Sequence, residues 1–125
     1  MKTAMQEKLK ALIVDDEMDV CHLLCTILNC KNLQASYVNS ISEAKRVLRV
    51  ENPSIVFLDN HLPDGFGTNF IEEIKSVNPL VKIVMITAYD TSADRDKAYS
   101  KGVDDFIGKP FTSIAIFQTL ENLLN

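Results

Sequence analysis

The sequence predicts an α/β domain built on a doubly wound parallel sheet, and three observations carry that expectation. From Leu9 onward, apolar strand and amphipathic helix alternate five times. Ser54-Ile55-Val56-Phe57-Leu58 is an unbroken β-branched and aromatic run between the breaker Asn52-Pro53 and a charge, Asp59, as in a strand buried on both faces. Two more runs end in the same way: Ala11-Leu12-Ile13-Val14 stops at Asp15-Asp16, and Val81 to Ile86 stops at Thr87. Several core strands therefore deliver polar groups to one edge, the carboxyl edge where open α/β sheets place their ligand crevice.

The elements follow in order. Asp16 is a candidate N-cap for the first helix, with Glu17 and Asp19 in its positive first turn and Val20, Leu23, Leu24, Ile27 and Leu28 as its buried stripe. Leu33 to Val38 mixes polar and apolar residues, the pattern of an edge strand. Ser40-x-x-Glu43 is a capping box that opens a second helix, whose narrow face is Ala44, Val47 and Leu48 and whose stop is Asn52-Pro53. After the central strand, Gly65 and Gly67 are expected to loosen a loop. Phe70, Ile71, Ile74 and Val77 then mark a third helix, stopped by Asn78-Pro79. The fourth helix starts near Thr91, has little to bury beyond Ala93, Ala98 and Tyr99, and stops at Gly102, so it is expected to be among the more mobile elements. Val103 to Ile107 is a short last strand. Gly108-Lys109-Pro110 leads into a final helix capped at Thr112 or Ser113, with Ile114, Phe117, Leu120 and Leu124 as its inner stripe.

Size and charge bound the function. The 125 residues divide into a lead segment, 1–8, and one domain, 9–125. A net charge of -4, with thirteen scattered Lys and Arg, argues against a nucleic-acid surface. No run suits a signal peptide or a membrane span, so the expected location is the cytoplasm and no membrane partner is expected. Cys21, Cys25 and Cys30 share one helix, which suits a reducing compartment better than a disulfide framework. Cys21 and Cys25 could open a metal site, but no further Cys or His pair completes it.

The strand ends collect Asp15, Asp16, Asp59, Thr87 and Lys109. Carboxylates brought together repel one another and call for a cation, and an oxygen-only ligand set favours Mg2+, which leaves positions for phosphate oxygens. There is no P-loop and no glycine-rich dinucleotide motif, so a phosphate held on a nucleotide is not expected. A carboxylate beside a metal can itself be the nucleophile.

Taken together, Asp15-Asp16, Asp59, the Asp59-x-x-Leu-Pro-Asp-Gly-x-Gly run, Thr87-Ala88 and Lys109-Pro110 resemble the receiver domain of two-component response regulators across Leu9 to Leu124. The resemblance implies a flavodoxin-like (βα)5 fold with strand order 2-1-3-4-5. It implies that Asp59 accepts a phosphoryl group from a sensor histidine kinase or a histidine phosphotransfer protein. Asp16 and Asp59 would bind Mg2+ through their side chains, Asp15 directly or through water, and His61 through its backbone carbonyl. Lys109 and Thr87 would contact the phosphoryl oxygens. Thr87 and Phe106 would form the switch that reshapes the surface of helix four, strand five and helix five, to control an output domain outside this chain, a partner or a homodimer. Phe106 stands where the family often has tyrosine, which removes only a hydroxyl. The resemblance also implies a cis Lys109-Pro110 bond.

Competing readings are weighed on the same residues. Each of Asp15-Asp16, Asp59, Thr87 and Lys109 alone reads as a helix cap, a turn residue, a hydroxyl at a helix entrance or a surface charge; their joint placement at strand ends is what points to a site. A phosphatase with an aspartyl nucleophile would want a second Asp two residues after Asp59, where His61 stands. A receiver-like interaction module that works without phosphorylation is the other alternative, against which the intact acidic set argues. His61 and Tyr89 are expected at the rim of the site, controlling how water reaches an acyl phosphate. His22 reads as an exposed helix residue and not as a second phosphoacceptor.

Overall fold

The computed structural model describes residues 8–124; the lead segment, apart from Lys8, and Asn125 lie outside the described residues. Five strands form one parallel sheet: β1 (Lys10–Val14), β2 (Gln34–Val38), β3 (Ile55–Leu58), β6 (Lys82–Thr87) and β7 (Asp105–Gly108). Their order is β2-β1-β3-β6-β7. A two-stranded hairpin, β4 (His61–Leu62) with β5 (Gly65–Phe66), sits between β3 and the third helix, so β6 and β7 are the fourth and fifth strands of the sheet. The predicted order 2-1-3-4-5 is the observed one. The helices are α1 (Met18–Cys30), α2 (Ile41–Glu51), α3 (Ile71–Val77), α4 (Ser92–Lys101) and α5 (Ser113–Leu124).

Strand alternation sorts the core into two layers. Leu12, Val14, Val56, Leu58, Ile83 and Met85 face α2, α3 and α4. Ala11, Ile13, Ile55, Phe57, Val84 and Ile86 face α1 and α5. Both faces of the central strands are thus covered, which is why their sequences are continuously apolar. The edge strand β2 buries only Val38.

Several local expectations are corrected. The N-cap of α1 is Glu17, not Asp16; Asp15 turns its Oδ1 back to accept the Glu17 N–H at 2.8 Å, and no side chain caps from the N-cap position. Leu23 is 49% exposed, and Cys21 takes the buried place beside Leu24 and Leu28, because a thiol packs as a small apolar group. In α5 the inner face runs through Ile116, Thr119 and Leu120, while Ile114 is 65% exposed. Thr112 caps that helix, its Oγ1 accepting the Ala115 N–H at 3.1 Å.

Gly67 does not loosen its loop. It is buried, its N–H donates to the Asn60 carbonyl at 2.8 Å, and a Cβ there would lie 2.3 Å from the Asp59 carbonyl oxygen. This glycine is required by the close approach of two backbones.

The capping box of α2 is also modified. Ser40 Oγ accepts the Glu43 N–H at 3.2 Å, but Glu43 reaches the Asn39 N–H at 2.9 Å instead of the N-cap residue. The remaining free donors of the first turn, Ile41 and Ser42 N–H, are both taken at 2.9 Å by the Asp64 carboxylate from the hairpin. These bonds hold the exposed Asp64 carboxyl below its ordinary range.

Asp104 and Asp105 interrupt the last strand for a reason. Asp104 accepts from Lys75 Nζ at 3.0 Å and from the Ile83 N–H at 2.8 Å, which ties α3 to β6. Asp105 accepts from Thr119 Oγ1 at 2.8 Å and from the Phe106 N–H at 2.8 Å. No helix of the described residues is long and apolar enough to cross a membrane.

Candidate functional site

The carboxyl edge of the sheet carries the expected groups. Asp15 directly follows β1 and Asp59 directly follows β3, and both side chains are buried. Their backbones are locked into the ladder, the Asp59 N–H donating to the Val14 carbonyl at 2.9 Å and the Asp15 N–H to the Val38 carbonyl at 3.1 Å. Thr87, the last residue of β6, is buried and pairs in register with Gly108. Lys109 follows directly, its N–H donating to the Thr87 carbonyl at 2.8 Å, and the Lys109-Pro110 bond is cis.

Lys109 Nζ is the hub. It lies 2.9 Å from Asp15 Oδ2, 2.6 Å from Glu17 Oε1 and 3.6 Å from Asp59 Oδ2. Burial alone would lower its proton affinity, but the bonds to Glu17 and Asp15 and the charge of Asp59 more than offset that and hold the ammonium charged. Burial raises Asp59 to about 6, with the neighbouring Asp15 charge adding to it; Lys109 and the His61 and Asn60 N–H groups oppose the rise. Asp15 is likewise raised by burial, against the Glu17 N–H bond and Lys109. Cys21, whose thiol donates to the Asp15 carbonyl at 3.2 Å, is pushed up to about 12 by burial and then by the Asp15 charge, so it is an inert core thiol.

Asp15, Glu17 and Asp59 bring carboxylate oxygens within 4.8 Å of one another, the one such group of three or more metal-ligating residues among the described residues. Two buried, mutually repelling aspartates, both held above their usual range, with the exposed Glu17 carboxylate beside them, form an oxygen-only set that suits a hard dication such as Mg2+. Asp16 is exposed and outside this group, and Glu17 stands in it. By sequence Glu17 reads only as a first-turn helix residue, and its acidic character directly after Asp15-Asp16 is the one local sign of its place in the set.

The rim is aromatic. The His61 ring lies 4.0 Å from that of Tyr89, tilted by 40°, and 5.4 Å from that of Phe66, edge-on. His61 Nδ1 is buried without a hydrogen-bond partner. The Thr87 hydroxyl accepts the Tyr89 N–H at 3.2 Å. Phe106 is 5% exposed and packs in the layer that contains Met85 and Ala98. His22 is exposed on α1, against Tyr37.

A flavodoxin-like (βα)5 sheet with buried aspartates, a threonine and a lysine at its carboxyl edge, where such sheets place their ligand crevice, defines the receiver class of signalling domain. The chain belongs to the response regulator receiver domain family, whose model matches residues 11–121. It is 36% identical over 101 residues to the response regulator protein PilR of Pseudomonas aeruginosa, covering 81% of this chain and 23% of that protein. A two-component response regulator from Clostridium difficile is 25% identical with a TM-score of 0.89, covering 94% of this chain and 96% of that one. The beryllofluoride-activated NtrC4 receiver domain, solved as a dimer, is 29% identical with a TM-score of 0.86, covering 91% of this chain and 94% of that one. The chain spans 23% to 53% of the lengths of the first curated relatives it matches.

Proposed function

We propose that this chain is a phosphorylation switch in which Asp59 takes a phosphoryl group from a phosphohistidine of a sensor kinase or phosphotransfer protein. The observation that carries the reading is the buried Asp59 carboxylate at the end of the central strand, 3.6 Å from the Lys109 ammonium. An Asp59 oxygen attacks phosphorus, the phosphorus–nitrogen bond of the donor breaks, and its electron pair and a proton stay with the imidazole. Lys109 neutralises charge on the phosphoryl oxygens, and the Thr87 hydroxyl leaves the Tyr89 N–H to bond one of them. Mg2+ would be held by Asp16 and Asp59, by Asp15 directly or through water, and by the His61 carbonyl, with Glu17 a further carboxylate in reach. When bound, it supplies charge neutralisation and orientation for in-line transfer.

The added charge and acceptor oxygens draw on Thr87, and space left by that side chain favours the inward Phe106 ring. The surface of α4, β7 and α5 then changes to control an output domain, a partner or a homodimer in the cytoplasm. The chemistry extends at most to the domain's own phosphorylation and dephosphorylation.

Intact mass after incubation with Mg2+ and a small phosphodonor tests this. One phosphoryl group is expected on the wild type with metal, and none on Asp59→Ala or without metal. No gain under rapid quench would favour the phosphorylation-independent interaction module instead.

The His61 and Tyr89 rings lie 4.0 Å apart, each two residues beyond a site residue, Asp59 and Thr87, and in this reading they limit how water reaches the acyl phosphate. The half-life of phosphoryl-Asp59 is therefore expected to shorten several-fold in His61→Ala, because water gains a path to the acyl phosphate. Equal half-lives would remove His61 from that role.

A further inference from the structure

We propose that Arg95 is a positioning residue for Phe106, and that with Asp90 it couples the inward place of that ring to phosphoryl binding at Asp59; the proposal rests on the phosphoacceptor reading above. The guanidinium carbon of Arg95 lies 4.9 Å from the centre of the Phe106 ring, and Arg95 Nη2 pairs with Asp90 Oδ1. The ring belongs to the core layer that contains Met85 and Ala98, and the guanidinium lies over its face. An arginine suits this place because its planar fork can lie on an aromatic face while donating to a carboxylate.

Asp90 links that contact to the site. It lies three residues beyond Thr87, in the connection from β6 to α4, and it seats against Gly108, the register partner of Thr87. A Cβ at position 108 would be 2.6 Å from Asp90 Oδ2, so the glycine leaves the carboxylate its seat. Asp90 thereby lies in the segment that follows Thr87 and seats against the strand that carries Phe106 and leads into Lys109. Apart from the core contact of Ala98, α4 buries little, and its side chains reach β7 through Arg95 over the Phe106 ring and through the Tyr99 hydroxyl, which donates to Asp105 Oδ1 at 3.4 Å. Drawing the Thr87 hydroxyl toward phosphoryl oxygens moves the segment that ends at this ion pair.

Coupling is reciprocal: a contact that favours the inward ring also favours the phosphoryl-bound state, and its loss weakens phosphoryl binding. The test is titration of the full chain with beryllofluoride in Mg2+, followed by amide NMR, for wild type, Arg95→Ala, Asp90→Asn, Phe106→Leu and Phe106→Leu combined with Arg95→Ala. Arg95→Ala is expected to weaken binding roughly three- to tenfold, the scale of a partly exposed cation–aromatic contact, and Asp90→Asn to weaken it in the same direction. In the Phe106→Leu background Arg95→Ala is expected to change nothing further, which a merely structural arginine would not reproduce. Unchanged affinity in Arg95→Ala, or the same loss in both backgrounds, overturns the coupling alone. A wild-type chain that binds no beryllofluoride overturns the phosphoacceptor reading and the coupling with it.

Discussion

Metal-free Asp59→Asn protein is expected to be more stable than the wild type at pH 7 by about 2 to 3 kcal/mol. Burial raises the wild-type carboxyl from 3.8 to about 6, and keeping it ionised at neutral pH costs about 1.4 kcal/mol for each pH unit of that rise. The sign follows from the proton count. The folded state holds the Asp59 proton more tightly than the unfolded chain does, so the contribution of the protonated group is complete below about pH 4. It is lost as pH rises to about 6, and the ionised group then burdens the fold. Urea unfolding in chelator, from pH 4.5 to 7.5, should show the variant's advantage growing with pH and levelling off above about 6. Mg2+ should narrow the gap, because it binds the folded wild type and loses a ligand in the variant. A variant no more stable than the wild type at pH 7 would mean that Lys109 already compensates Asp59 in full.

Gly67→Ala should be the most damaging single methyl group in the domain. The new Cβ would stand 2.3 Å from the Asp59 carbonyl oxygen and 3.0 Å from Leu58 Cγ. Relief requires moving backbone that is fixed by the bond from the Gly67 N–H to the Asn60 carbonyl. The expected cost is about 3 kcal/mol or more, at the upper end for overpacking, and phosphoryl uptake should slow because Asp59 itself is displaced. Gly65→Ala is the control. Its Cβ meets only the end of the Ile41 side chain at 3.1 Å, and its cost, from a φ of +150°, should be about 1 kcal/mol. Urea midpoints of the two variants decide the matter; equal losses would refute the close-approach account.

The fold was legible because it is written in local patterns. Runs such as Ile55 to Leu58 are apolar at every position only when both faces are covered, and breakers such as Asn52-Pro53 and Gly102 sit where the helices stop. The family resemblance was legible for a related reason: Asp15, Asp59, Thr87 and Lys109 are each the first polar residue after such a run, or close to it. Apolar character and direction part company at two helix positions. Leu23 and Ile114 are hydrophobic yet point outward, because helix phase is set by the neighbours that the sheet accepts, Cys21 and Ile116.

By itself, then, the sequence determined the order of elements, the parallel sheet and the set of polar groups at its carboxyl edge, all of which follow from hydrophobic period and short-range stop signals. Only the tertiary structure decided who meets whom. Glu17 joins Lys109 across 92 positions of chain, and Asp64 caps α2 from a hairpin more than twenty residues away. Arg95 covers Phe106 from another element, and Gly67 is needed because two backbones pass within contact. Such pairings depend on where folded strands and loops bring side chains in space, a distance that no local pattern along the chain encodes.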